Sequence, residues 1–375
     1  MPQSLFDIEA VLPLVESGYT LLTPNIRLAR RGRQAWDSFR LAAGDSVWEP
    51  LPIHPLERWL VARWRHAVYR GRVAPRALLS PAQELQLWQR VIERCTEAAG
   101  DFSLLHPAAA AELAGAARDT LVRWRLDAHA PAVRQLFAVE EDCATFLTWL
   151  KAFESDIADR DQCTAADCIA ALADSGPDPE ALPVALVECG DLSPLVRECL
   201  HRQTTALETV VHEGRAAQPQ VHPFADRRGE LQEIAAWAAD LHRRAPTATI
   251  GIVMAGTGTD RIALEYLLRR EFDCLGADYH SLPVNFSTGI SLAAAPVVRD
   301  ALAVLALALD RVAVPEVAAL FRSRFLYLPD ADTPLAQYFI GELYGGASEW
   351  IDMASLRHFA ANVRLGEQQG LALGA

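Results

Sequence analysis

A chain of 375 residues that is 51% hydrophobic has apolar surface enough for two or three cored domains, which excludes a disordered protein. Its net charge of −13 excludes a chain that coats nucleic acid without regard to sequence, because that binding comes from cations neutralising phosphates. Seven cysteines, at 95, 143, 163, 168, 189, 199 and 274, include no C-x-x-C pair, so they read as reduced, mostly buried thiols of a cytoplasmic protein.

The first residues, MPQSLFDIEAVLPLVESG, are acidic and amphipathic with no basic start, and no stretch has the length of a membrane span. Residues 19 to 23 (YTLLT) form an apolar run ended by Pro24 and Asn25. Leu28, Gly32, Ala35, Trp36 and Phe39 then recur at helical spacing, so the order is strand, turn, helix. On this helix Arg30 and Arg33 lie opposite the apolar stripe, Arg40 shares the side of Arg33, and Arg27 and Arg31 hold the other flank. Such a face can meet phosphates or simply be solvated. Residues 1 to 80 carry eleven Arg against seven acids, a balance of +4, which leaves −17 on the remaining 295, so any DNA contact is expected in the N-terminal part.

From Ser80 to about Asp174 the periodicity is helical throughout, with Ser80 and Pro81 as N-cap and first-turn proline and Glu84 expected to close a capping box. Trp88, Trp124, Phe137, Phe146, Trp149 and Phe153 recur beside Leu and Val at three- and four-residue steps, the pattern of a core stripe. A Pro-rich break at 175 to 183 leads to the apolar run VALVE, then GDLSP opens a helix, and LETVVHE (207 to 213) reads as a further strand. The stretch 215 to 223, rich in Pro, Ala and Gln, is the expected domain boundary; a long helix begins near Arg228. Residues 248 to 254 (ATIGIVM) read as a buried strand, AGTG as a turn and Asp260 to Arg270 as an amphipathic helix. Helices are expected over 296 to 309, 316 to 321, 334 to 344 and 351 to 364. Alternating β and α elements interrupted by helices predict an α/β protein with a parallel sheet and an all-α insertion.

The chemistry-bearing patterns are mostly missing. A Walker A loop needs a lysine in G-x-x-x-x-G-K-[ST], and the one lysine, Lys151, sits in FLTWLKAFES without a glycine nearby, as a solvated helix charge would. A PD-(D/E)XK nuclease site needs an acid two residues before its lysine, and Trp149 stands there. Glu188, Cys189, Gly190 and Asp191 have the look of an acidic strand end, but a Gly-Asp turn and an N-cap at Ser193 account for them. The turn AGTGTD, with Gly256, Thr257, Gly258 and Thr259, is a weak phosphate-binding candidate, since backbone amides at a helix start can hold an anion. The ten histidines form no metal-ligand spacing, and no cofactor is expected.

At TLLTPNIRLARRGRQAW the chain resembles the front of a bacterial family of probable DNA-repair proteins related to AddB and described as inactivated superfamily I helicases. The same element resembles motif Ia of UvrD-like helicases, whose Thr-Asn turn contacts the DNA backbone, and Thr23 and Asn25 are the matching positions. The likeness continues at LLSPAQELQLWQRVI, VALVECGDLSPLVRECL, GELQEIAAWAADL, TIGIVMAGTGTDRIALEYLLRREF, NFSTGISLAAAPVVRDALAVLALAL and RSRFL. It departs at motif IV, where Met254, Ala255 and Gly256 replace the region of an ATP-contacting arginine.

The resemblance implies degenerate P-loop-helicase-like sheet domains: a 1A-like α/β domain from 1–79 and 176–216, an all-α 1B-like insertion at 80–175, a 2A-like α/β domain at 217–310 and the start of a helical 2B-like region at 311–375. It also implies that these residues come from the front of a longer PD-(D/E)XK nuclease protein with exonuclease activity, without themselves carrying a catalytic residue. The expected role is a non-catalytic DNA-binding or scaffolding region with Thr23, Asn25, Arg27, Arg30, Arg31 and Arg33 against DNA. Two other readings stand beside it: a protein-interaction scaffold for a helicase-nuclease partner subunit, and a phosphate-binding α/β enzyme using the 255–260 turn.

Overall fold

The computed structural model describes residues 6–100, 107–211, 218–254, 258–276, 283–287, 289, 291–326, 333–346, 348–365 and 368–370. The chain divides into two compact units, Met1–Pro219 and Gln220–Ala375, and the division falls inside the Pro-, Ala- and Gln-rich stretch. Fifteen α-helices lie among the described residues.

In the first unit, α1 (Ile8–Glu16) leads into β1 (Thr20–Thr23), α2 (Ile26–Ala42), β2 (Ile53–Pro55), α3 (Leu56–Tyr69) and the two-residue β3 (Ala77–Leu78). Helices α4 (Pro81–Ala99), α5 (Pro107–Arg123), α6 (Pro131–Phe137) and α7 (Glu141–Asp159) follow. The chain then returns through β4 (Gln162–Cys163), α8 (Ala165–Asp174), β5 (Leu182–Val187), α9 (Pro194–Gln203) and β6 (Thr204–Val210). Four strands form one parallel sheet in the order β2-β1-β5-β6, with Leu21 opposite both Ile53 and Ala185. Both faces are covered, which is why the strands read as continuous apolar runs. Leu22, Val184 and Leu186 pack with α3, α8 and α9, whereas Leu21, Ile53, Ala185 and Val187 pack with α1 and α2.

On the second face α2 crosses close to β2, and a side chain at Gly32 would press on its neighbours. A Cβ on Gly32 would lie 2.7 Å from Ile53 Cδ1 and 3.3 Å from the Phe6 ring. Gly32→Val is therefore expected to lower stability by about 1–3 kcal/mol through overpacking, read as a drop in the urea midpoint.

The helical insertion is closed at its base by β3 and β4, which pair in parallel. Helix α4 begins with a capping box, but its closing residue is Gln83, whose Oε1 accepts from the Ser80 amide at 2.9 Å. Glu84, expected in that role, comes one residue too late, because the reciprocal bond needs the third residue after the cap. The insertion core is centred on Trp88 and Phe153, both 0% exposed and stacked with ring centroids 3.9 Å apart. Trp124 breaks the expected core stripe: it is 58% exposed. The helix ends at Arg123, and Arg125 turns the chain with a left-handed φ of 55°, so helical spacing no longer decides which way Trp124 points. Helix α8 also leaves the expected block, since Cys168, Ile169 and Leu172 pack with Leu56, Leu60 and Leu200 against the sheet. Loop 175–183 is tied down as well. Asp178 pairs with Arg63 and, at 3.0 Å, with Arg72, while Glu180 meets His66 at 2.9 Å and Arg70 at 2.5 Å.

The second unit contains α10 (Arg227–Arg244), α11 (Gly258–Glu271), α12 (Pro296–Leu309), β7 (Val312–Ala313), α13 (Val314–Leu320), α14 (Thr333–Gly345), β8 (Trp350–Ile351) and α15 (Met353–Asn362). The strand expected at 248–254 is not formed. Ile250, Ile252 and Met254 do alternate inward against α10 and α11, yet Val253 is 97% exposed and no strand pairs with the segment among the described residues. Inward alternation is a burial pattern, and it becomes a strand only when a neighbour takes the backbone hydrogen bonds. A 2A-like sheet is accordingly absent from the described residues, where β7 and β8 pair antiparallel over two residues. None of the described helices is long and apolar enough to cross a membrane.

Candidate nucleic-acid interface

The strand order places a switch in the sheet between β1 and β5. From β1 the chain runs through α2 to β2 on one side, and from β5 through α9 to β6 on the other. Ligands of open α/β sheets bind beyond the carboxyl ends of such a strand pair. The residues there are Thr23, Pro24 and Asn25 after β1, and Glu188, Cys189, Gly190 and Asp191 after β5.

The motif Ia-like turn is built by hydrogen bonds within the fold. Thr23 is 0% exposed, and its hydroxyl donates to the Asn25 carbonyl at 3.0 Å and lies 3.4 Å from that of His54. Asn25 is the N-cap of α2, its Oδ1 accepting from the amides of Arg27 at 3.1 Å and Leu28 at 3.0 Å. These are the amides that a phosphate at a helix start would use, so the side chain of the chain itself already occupies them. Thr23 shapes the turn and presents no side chain to a ligand; Asn25 is exposed.

The arginines of α2 divide in two. Arg33 is half-buried and donates to the Ile53 carbonyl at 2.9 Å, and Arg40 pairs with Asp45 at 2.8 Å over the Trp36 ring. Arg27, Arg30 and Arg31 are exposed and form no ion pair among the described residues. They sit in the first half of a helix whose first turn carries no acid, at the end where the helix dipole is already positive. Three cations at that end oppose the local preference of the helix.

Partial desolvation and then the Arg33 charge hold the His54 imidazole below its ordinary value, so it is neutral at pH 7. Burial pushes the Cys189 thiol up to about 11, so it is protonated at pH 7. Glu188 is exposed and adopts φ 52°, its amide donating to Val210 at 3.0 Å, and Asp191 is exposed beyond it. Among the described residues no three His, Cys, Asp or Glu side chains gather as a metal-ligand set. Of the weak phosphate candidate, Gly256 and Thr257 lie outside the described residues, while Gly258 and Thr259 open α11.

The class these features define is an α/β protein whose small parallel sheet carries a helical insertion and a basic helix at its carboxyl edge. No protein-family model and no curated protein matches the chain.

Proposed function

We propose that the chain is a non-catalytic, helicase-like region of a DNA-repair nuclease protein that holds or guides DNA through the start of α2. The observation that carries this reading is the set of exposed, unpaired arginines, Arg27, Arg30 and Arg31, at the positive end of a helix beside the switch between β1 and β5. An anionic partner turns that local penalty into affinity, and the phosphate backbone is the extended anion that fits a row of cations. The capped amides of α2 support a role that needs no nucleotide, as does the absence of a Walker A lysine. In this reading Asn25 and the three arginines face DNA, whereas Thr23 and Arg33 position the turn and the helix.

Replacing Arg27, Arg30 and Arg31 together by Gln is expected to weaken binding to duplex oligonucleotides. It should also lower the slope of log K against log salt by about 2–3, since each phosphate contact contributes about 0.9. Fluorescence anisotropy at several salt concentrations reads both quantities. An unchanged slope removes these residues from the interface. A chain with no affinity for single- or double-stranded DNA at low salt would instead support a scaffold that docks a partner subunit.

A further inference from the structure

Helix α8 begins with Thr164 as N-cap and Asp167 three residues later, a reciprocal capping box in which the Thr164 amide donates to Asp167 Oδ2 at 2.9 Å. The residues that flank such a box on its outer and inner sides usually meet as an apolar staple. Here both are cysteines. Cys163, before the cap, and Cys168, the fourth helical residue, bring their Sγ atoms to 3.5 Å, and both are buried, at 2% and 0% exposure. Sequence spacing conceals the pair, because five residues separate the thiols and no C-x-x-C motif marks them.

We infer that Cys163 and Cys168 are an oxidation site, a staple that hydroperoxides convert into a disulfide at the base of the insertion. A disulfide needs sulfurs about 2.05 Å apart, so the two, now 3.5 Å apart, must approach by about 1.5 Å. The chemistry balances with one equivalent of hydrogen peroxide. The Cys163 thiolate attacks one peroxide oxygen, breaking the O–O bond to give a sulfenic acid and hydroxide. The Cys168 thiol then displaces the sulfenic oxygen as water; the proton released with Cys163 joins the hydroxide. Two thiols and one peroxide become one disulfide and two waters, each sulfur losing one electron. The order of attack follows from the hydrogen bond between the thiols, which lowers the proton affinity of Cys163 and raises that of Cys168. A small oxidant suits a pair this deeply enclosed.

The location gives the bond a consequence. Cys163 ends β4, which closes the base of the insertion against β3, and Cys168 lies in α8, which packs on the sheet. A disulfide ties those two elements covalently beside Thr164 and Asp167, which also anchor Arg118 of the insertion.

The test treats the folded 375-residue chain with hydrogen peroxide, alkylates the remaining thiols in denaturant and maps tryptic peptides by mass. The peptide beginning at Asp161 contains Cys163, Cys168 and Cys189. After oxidation it is expected to carry one alkyl group in place of three, and the oxidised chain is expected to melt a few degrees higher, reverting with dithiothreitol. In Cys168→Ala the reaction should stop at a sulfenic acid on Cys163, trapped by dimedone. A peptide still alkylated three times when the half-buried Cys95, Cys143 and Cys274 are oxidised overturns the inference, as does a disulfide that involves Cys189.

Discussion

Arg118→Leu is expected to destabilise the first unit by about 3–5 kcal/mol, because it leaves a carboxylate without its partner in a largely enclosed place. Arg118 is 6% exposed. Its Nη2 donates to Asp167 Oδ1 at 2.8 Å, its Nη1 to Thr164 Oγ1 at 3.2 Å, and Glu154 Oε1 lies 3.6 Å from its Nε. Burial on its own raises the Asp167 carboxyl, but the Arg118 charge and the bonds from Arg118 and Thr164 outweigh it and hold the group below the usual aspartate range. A depressed carboxylate contributes stability that is complete above its unfolded pKa, about 3.9, and fades as pH falls through the lower folded value. The wild-type urea midpoint should therefore fall with acid below about pH 4, and Asp167→Asn, which keeps the cap acceptor but not the charge, should flatten that fall. The double variant Arg118→Leu with Asp167→Asn should cost less than the sum of the two single variants, since the stranded charge is gone. Additive losses would show that Arg118 acts through packing alone.

Much of this architecture is legible in the sequence where one residue pattern has one physical solution. The run before Pro24 has to stop there, Asn25 is among the best caps, and the stripe from Leu28 to Phe39 has the helical period. Strand β2 escapes notice because Ile-His-Pro is too short and too mixed to alternate; its place comes from pairing with β1 across 32 residues, Leu21 opposite Ile53. The same limit works in reverse at 248–254, where the alternation is real and the pairing is missing. At the candidate interface the basic face is visible from sequence, but the division of its arginines is not. Arg33, placed by helical spacing opposite the apolar stripe, is drawn off the surface by the Ile53 carbonyl, which lies 20 residues away in the chain, whereas Arg31 on the other flank stays exposed. The Asp178 hub is equally hidden, because its partners Arg63 and Arg72 lie more than a hundred residues earlier in a different helix and loop.

Trp88→Ala is expected to cost about 3–5 kcal/mol and Trp88→Phe clearly less, a contrast that separates a core residue from a base-stacking one. The Trp88 ring lies parallel to that of Phe153, within 4°, and the guanidinium of Arg118 sits over the Phe153 ring at 5.4 Å, so the stack continues into the anchor of the insertion. Gly115 of α5 passes close by, where an added Cβ would rest 3.5 Å from the Trp88 ring, an ordinary contact that defines how near the two helices come. Removing the indole therefore opens a cavity between α4, α5 and α7 and releases one face of Phe153. Phenylalanine keeps that contact and removes an indole N–H that has no acceptor among the described residues, which offsets part of its smaller volume. A residue that stacked on bases would behave oppositely: Ala would spare stability and lower DNA affinity by the 1–3 kcal/mol of one stacked base. Of the six aromatics in the stripe, Trp124, with 58% of its surface exposed, has the position for that second behaviour. Chemical denaturation and anisotropy on Trp88→Ala, Trp88→Phe and Trp124→Ala decide between the two roles: the first should lose stability, and only the last can lose affinity while keeping its urea midpoint.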